Sequence, residues 1–214
     1  TAAGYTIDAN AAHAAGPFPN RAGARDDAVR RAADDEITGG AGYAPTALHD
    51  LPEIAERLGV ARVVFKDESA RFGLGSFKAL GGAYAVANLA KQAKAAGGSI
   101  TDVTVATATD GNHGRSVSWG ASRAGCKAKI YIHAHVSKAR EEAMAAFGAD
   151  VIRINGNYDA SLAACTADAA PHGWQIVPAT SWPGSPEVPL TVMAGSTPQA
   201  RAAPAPFGRT PPSP

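Results

Sequence analysis

The sequence predicts an α/β fold in which helices flank a parallel β-sheet. From residue 61 to residue 177, runs of four or five mostly apolar residues alternate with longer segments of helical periodicity. Short turns that often contain glycine separate these segments, so each strand is followed by a helix able to pack back on the sheet. The composition suits such a core, because hydrophobic residues make up 45% and charged residues 18% of the 214.

Local signals mark the ends of the individual elements. Residues 1–40 show little periodicity and are expected to be loosely ordered apart from one helix. Gly59, Gly125 and Gly148 each follow a periodic segment and favour its end, whereas Ser137 is a typical N-cap. The predicted helices cover residues 26–36, 51–58, 77–96, 112–124, 138–147 and 158–169. The predicted strands cover residues 61–65, 103–106, 128–132, 151–154 and 174–177.

Charge and cysteine content exclude several classes of function. The formal net charge is +1, and the basic pair Arg30 and Arg31 is balanced by nearby carboxylates, so neither nucleic acid nor a membrane surface is an expected partner. No apolar run approaches the roughly 20 residues of a membrane helix. Cys126 and Cys165 have no metal-binding spacing. We therefore expect two reduced thiols, no metal and a cytoplasmic location.

Lys78 is the first candidate for a chemical role. It follows a glycine-bearing loop at the carboxyl end of a predicted strand and opens the helix predicted over residues 77–96. Its neighbours Phe77 and Leu80 could form an apolar environment, which would favour the unprotonated amine that a Schiff base requires. A lysine at the start of a helix that simply points to water is the alternative.

A second candidate segment, residues 110–114, also joins a strand to a helix. Gly111 would let the backbone approach a ligand closely, and Asn112 offers both a donor and an acceptor. Asp110 could cap the helix or act as an acid or base. A capped turn without chemistry is the alternative, and His113 is expected to be hydrogen-bonded rather than a general base. Both segments lie beyond carboxyl ends of strands, where parallel sheets bind ligands.

These two segments resemble one enzyme family. The sequence of residues 72–82, Phe-Gly-Leu-Gly-Ser-Phe-Lys-Ala-Leu-Gly-Gly, and that of residues 109–115, Thr-Asp-Gly-Asn-His-Gly-Arg, are similar to those of diaminopropionate ammonia-lyases. Supporting similarity occurs at residues 44–48, 66–69, 148–151, 157–159 and 180–184. The resemblance implies a tryptophan-synthase-like fold of pyridoxal 5'-phosphate (PLP) enzymes, fold type II, with a parallel sheet and flanking helices.

The resemblance also implies roles for particular residues. Lys78 would bind the PLP aldehyde and act as a base at the substrate α-carbon, and Asp110 would be a second catalytic acid or base. Asn112 would contact the ring hydroxyl of the cofactor, with Phe77 and Gly111 beside it. The substrate would be the amino acid 2,3-diaminopropionate, which would undergo α,β-elimination to pyruvate and ammonia. The full-length family member is expected to be a homodimer.

Some features depart from the family pattern. Ala179 stands where an aspartate is usual, and no glycine cluster suited to a phosphate follows Gly173. Nine of the 15 prolines lie in residues 183–214, which predicts an extended to disordered tail. We therefore expect an incomplete fold with impaired activity.

The expected division comprises residues 1–100 as part of a large PLP domain, 101–180 as a small α/β domain and 181–214 as the tail. The alternatives to a diaminopropionate ammonia-lyase are a serine or threonine dehydratase and a non-catalytic remnant without cofactor.

Overall fold

A computed structural model describes residues 27–180 and 187–201. The helices are α1 (Asp27–Thr38), α2 (Pro52–Leu58), α3 (Lys78–Ala95), α4 (Asn112–Ala124), α5 (Lys138–Ala145), α6 (Tyr158–His172), α7 (Glu187–Gly195) and α8 (Thr197–Arg201). The strands are β1 (Leu48–Asp50), β2 (Val64–Lys66), β3 (Thr104–Ala108), β4 (Lys127–His133), β5 (Asp150–Ile154) and β6 (Gln175–Ile176). None of the described helices has the length and apolar character needed to cross a membrane.

The predicted parallel sheet is confirmed. Four strands lie in the order β5-β4-β3-β6, and every neighbouring pair is parallel. Alternate side chains of β4 point to opposite faces, as the pleat requires. Ile130 and Ile132 belong to the core beneath α3 and α4, whereas Tyr131 packs on the other face with Cys165 of α6. Helices thus cover both faces of this sheet.

Most element boundaries agree closely with the predictions. The hydroxyl of Ser137 caps α5 by accepting the backbone N–H of Arg140. Gly59 ends α2 with a φ of 65°, a left-handed conformation that costs glycine little. The interiors of these elements were predictable because their signals are contained in short stretches of sequence.

The first predicted strand, β2, does not join the parallel sheet. β2 pairs with β1 in an antiparallel ribbon, with Leu48 opposite Lys66 and Asp50 opposite Val64. The intervening α2 is short and lets the two strands meet directly. β1 itself was not predicted, because three partly exposed residues carry too little apolar pattern.

The prediction of an extended or disordered tail differs from the structure over residues 187–201, which form α7 and α8. Val188 and Val192 of α7 pack against the main core, and Ala194 is buried with residues of α1 and α3. Pro189 lies in the first turn of α7, where its missing N–H costs no helical hydrogen bond. Tertiary packing therefore outweighs the proline-rich composition here. Residues 1–26, 181–186 and 202–214, with the predictions made for them, lie outside the described residues.

Candidate active site

Close packing of α3 against α4 sets the geometry of the candidate site. A Cβ on Gly82 would lie 2.5 Å from Oγ of Ser116, and a Cβ on Gly120 would lie 2.8 Å from Cα of Ala83. The Ser116 hydroxyl also accepts the N–H of Ala83 at 3.0 Å. Because the contacts advance in the same direction along both helices, α3 and α4 run parallel and their first turns lie side by side.

Lys78 is the first residue of α3 and is half-buried. Its Nζ lies 5.5 Å from the ring centroid of Phe77, which is 41% exposed. Within the described residues the amine forms no hydrogen bond or ion pair. Leu80 is buried with Ala33 and Ile37 of α1. Of the two expected apolar neighbours, Phe77 is thus the one whose ring lies beside the Lys78 amine.

A buried ion cluster supports the loop that leads to Lys78. Arg71 is only 2% exposed, and its Nε lies 2.8 Å from Oε2 of Glu68. The same guanidinium donates to the carbonyl of Ala44 at 2.9 Å and to the hydroxyl of Thr46 at 3.0 Å. Lys66 adds a second positive charge, with Nζ 3.3 Å from Oε1 of Glu68. This cluster was not predicted, although the presence of both positive and negative charges within residues 66–71 is a visible signal.

The loop is also tied to α4. Nη1 of Arg115 donates to the carbonyl of Leu74 at 2.9 Å, four residues before Lys78. This bond connects the loop to the first turn of α4, the helix that begins with Asn112. It holds the two candidate segments together.

Thr109, rather than Asp110, caps the start of α4. Its hydroxyl accepts the N–H groups of Gly111 and Gly114, both at 3.0 Å. Gly111 has a φ of 157° and a ψ of −87°, and a Cβ there would lie 3.1 Å from Cδ of Arg140. The turn therefore requires glycine. The exposed side chain of Asn112 forms no hydrogen bond within the described residues.

His113 is buried and hydrogen-bonded, as predicted. Its Nε2 lies 2.9 Å from the carbonyl oxygen of Val177, which can only accept, so Nε2 carries the hydrogen. Burial lowers the pKa of His113; the bond to Val177 opposes this shift, and the positive charge of Lys78 adds to it. Nδ1 faces no hydrogen-bond donor among the described residues. A neutral imidazole thus lies near the Lys78 amine.

Asp110 has a partner that the sequence analysis missed. Its Oδ1 lies 3.1 Å from Nε2 of His133, the last residue of β4. Ala108 and Tyr131 are paired across β3 and β4, so the residues two positions further along meet at the sheet edge. Strand register is the signal that could have revealed this pair.

The first turns of α3 and α4, which carry Lys78 and Asn112, thus lie side by side, and Asp110 lies beyond the carboxyl end of β3 in the parallel sheet. Among the described residues, neither the Lys78 amine nor the Asn112 amide forms a hydrogen bond. The sequence matches the family described as pyridoxal-phosphate dependent enzymes over residues 40–196, and the chain belongs to that family.

Individual relatives indicate which enzymes of this family the chain is similar to. The diaminopropionate ammonia-lyase of Escherichia coli (strain K12) is 40% identical over 168 residues, 72% of this chain and 42% of the relative. The crystal structure of the Escherichia coli enzyme in apo form has a TM-score of 0.76 and 36% identity, covering 83% of this chain and 52% of that one. Its complex with an aminoacrylate-PLP azomethine reaction intermediate also gives a TM-score of 0.76 and 36% identity, covering 84% and 48%. The chain thus spans about half the length of these relatives or less.

Proposed function

We propose that this chain supplies the lysine-bearing part of a PLP-dependent ammonia-lyase that acts on 2,3-diaminopropionate. The reaction is α,β-elimination, in which one substrate and one water give pyruvate and two molecules of ammonia. The parallel packing of α3 and α4 is the observation that supports this most directly, because it sets the first turns that carry Lys78 and Asn112 side by side.

The residues present fit one end of PLP. The Lys78 amine and the Asn112 amide have no hydrogen-bond partner in the part of the chain that the structure describes. The amine suits the cofactor aldehyde, and the amide suits the ring hydroxyl. Phe77 supplies apolar surface beside the amine, and the absence of a side chain at Gly111 leaves room for a ligand to approach the backbone beside Asn112. The 40% identity to a diaminopropionate ammonia-lyase supports the choice of substrate.

Each of these residues has a distinct part in the proposed reaction. When bound, PLP withdraws electrons from the substrate α-carbon. Lys78 holds the cofactor and removes the α-proton from one face of the substrate. Asp110 exchanges a proton at the opposite face of the substrate α-carbon, which would let the site accept both stereoisomers. Asn112 orients the ring.

Covalent trapping tests the assignment of Lys78. The purified chain would be mixed with PLP, reduced with borohydride and digested, and the labelled peptide would be identified by mass spectrometry. We expect a pyridoxyl group on Lys78 and its loss in Lys78→Ala, with retention in the control Lys94→Ala, an exposed lysine of the same helix. Lys78→Ala should also lower ammonia release from diaminopropionate by roughly 10³-fold or more.

The outcomes of this experiment distinguish the proposed ammonia-lyase from a dehydratase and from a remnant without cofactor. A label absent from Lys78 would contradict the proposed site and favour a remnant without cofactor. A label on Lys78 with faster ammonia release from threonine than from diaminopropionate would instead identify a dehydratase. A label without turnover of either substrate would contradict the proposed activity while leaving cofactor binding intact.

We also propose that the full-length protein is a cytoplasmic homodimer. Large apolar side chains are exposed on and around α2 and β2, namely Ile54, Leu58, Val60 and Phe65. An apolar surface of this kind supports association with a second copy. The two free cysteines support a reducing compartment.

A further inference from the structure

We infer that His133 is the positioning residue for Asp110, and this inference rests on the proposed function. The Asp110 side chain is 65% exposed, whereas that of His133 is only 18% exposed. Within the described residues, His133 is the one side chain in polar contact with the Asp110 carboxylate. An exposed carboxylate without that contact would be free to change rotamer, which a proton acceptor with a defined target must avoid.

The tautomer of His133 follows from its second contact. Its Nδ1 accepts the backbone N–H of His135 at 3.2 Å, so Nδ1 carries a lone pair and the hydrogen of the neutral ring lies on Nε2. Nε2 is the atom that faces Asp110 at 3.1 Å. The ring therefore presents an N–H to the carboxylate.

The turn that carries His133 is itself held in place. Nη1 of Arg153 donates to the carbonyls of His133, Ala134 and Val136 at 3.2, 2.9 and 2.8 Å. Nη2 of the same guanidinium lies 2.6 Å from Oε2 of Glu141. One side chain on β5 thus fixes the end of β4, and with it the ring.

Asp110 is fixed from the backbone as well. Nη1 of Arg140 donates to the Asp110 carbonyl at 3.2 Å. Tyr158 also lies nearby: burial raises the pKa of its phenol, and the negative charge of Asp110 raises it further. Because the backbone of Asp110 is held, rotation of its side chain is the motion that remains, and His133 restricts this rotation.

Nuclear magnetic resonance of the ¹⁵N-labelled chain tests the pairing without depending on activity. Long-range ¹H–¹⁵N spectra report which ring nitrogen of each histidine carries the hydrogen. We expect the Nε2–H tautomer for His133 and a change in its Nε2 signal in Asp110→Asn that exceeds any change at His135. A His133 signal unaffected by that substitution, or the opposite tautomer, would overturn the pairing.

Turnover of the two stereoisomers of 2,3-diaminopropionate tests the positioning role. His133→Phe keeps a flat ring but lacks the N–H, and should change the ratio of kcat values for the two isomers by about tenfold or more. His133→Gln can still donate toward Asp110 and should restore most of the ratio. His172→Gln, at the exposed end of α6, is the matched control and should leave the ratio unchanged.

A purely structural role would lower both kcat values equally, and that result would overturn the inference. Loss of the ratio in His133→Gln as well as in His133→Phe would also count against it. If the unsubstituted chain releases no ammonia from either isomer, the proposed function fails and the catalytic part of the inference fails with it. The spectra would still decide whether the two side chains are paired.

Discussion

Arg71 shows how one buried residue can support a candidate site that it does not enter. Burial by itself raises the pKa of Glu68, but hydrogen bonds from Arg71 and Thr46 outweigh it, so the pKa lies below its ordinary value of 4.5. The ionised carboxylate is therefore stabilised only while its partners remain. The cluster determines how the chain enters the loop before Lys78.

Arg71→Met should destabilise the protein by about 3 kcal/mol, because a buried carboxylate loses a charged partner. This value is at the low end of the usual cost of removing one partner from a buried ion pair, because Lys66 still lies 3.3 Å from Glu68. Urea unfolding followed by circular dichroism measures the change. Arg62→Met removes a solvent-exposed ion pair with Asp50 and, as the control, should cost less than about 1 kcal/mol. Equal costs for the two variants would contradict the assigned role of Arg71.

The effect of Arg71→Met should also depend on pH. Because the pKa of Glu68 is lowered by folding, the stability that Glu68 contributes is present above the unfolded pKa and is lost as the pH falls through the folded pKa. The difference between wild type and variant should therefore shrink below pH 4.5. A difference that stays constant into this acidic range would indicate that packing, not charge, is lost.

Sequence reasoning identified the candidate residues with chemical function more readily than the residues that hold them. Asp110 and Asn112 flank Gly111 just after a strand, and Lys78 follows a loop that contains Gly73 and Gly75, a local pattern typical of ligand sites. Thr109 and His133 were missed because their roles depend on hydrogen bonds and register. The predicted roles of Lys78 and Asp110 remain proposals.

At the scale of elements, α3 is packed on two sides through glycine. Gly82 faces α4, whereas Gly81 faces α7, where an added Cβ would lie 2.7 Å from Oγ of Ser196 and would also collide with the carbonyl of Val192. Gly195 approaches from the opposite side, because a Cβ there would lie 3.0 Å from Cα of Gly81. α7 therefore docks by backbone contact, which leaves little room for adjustment.

Gly81→Ala should release α7 from α3. The substitution favours an isolated helix by about 1 kcal/mol, yet overlap in a closely packed interface costs about 1–3 kcal/mol and should dominate. Hydrogen exchange of the peptide covering residues 187–195 should become faster. Ala95→Ser adds one atom at an exposed position of α3 and should leave that exchange unchanged. Slower exchange in Gly81→Ala would contradict the packing.

The packing of α7 also explains why this helix was not predicted from the sequence. Repeated apolar spacing and glycine stops identified α3 to α6, since those signals lie within each segment. α7 and α8 lack such a pattern and carry Pro189 and Pro198. Their helical form depends on contacts with α1 and α3, which are distant in sequence.

At the scale of the whole molecule, the described chain has a continuous core across residue 100. Val86 of α3 belongs to the same buried cluster as Val105 of β3 and Val117 of α4. Trp119 of α4 also contacts Phe72, with ring centroids 4.9 Å apart. Unfolding measurements can therefore test the prediction that the chain divides into two domains at residue 100.

We expect α3 and β4 to unfold in one cooperative transition. Hydrogen exchange measured across a urea series should give the same midpoint for peptides 78–95 and 127–133, because neither core face is complete without the other. Gly120→Ala, which adds a Cβ 2.8 Å from Cα of Ala83, should lower both midpoints together. Two separate midpoints would show that the segments on either side of residue 100 are independent domains.

The sequence by itself determined the α/β class, the order of most elements and the candidates Lys78, Asp110 and Asn112. These follow from periodicity and turn residues within a few positions of one another. Only the tertiary structure decided that Asp110 meets His133, that Arg71 supports the lysine loop and that α7 is a helix. Each of these depends on contacts between segments far apart in the chain, whose register and packing no local pattern specifies.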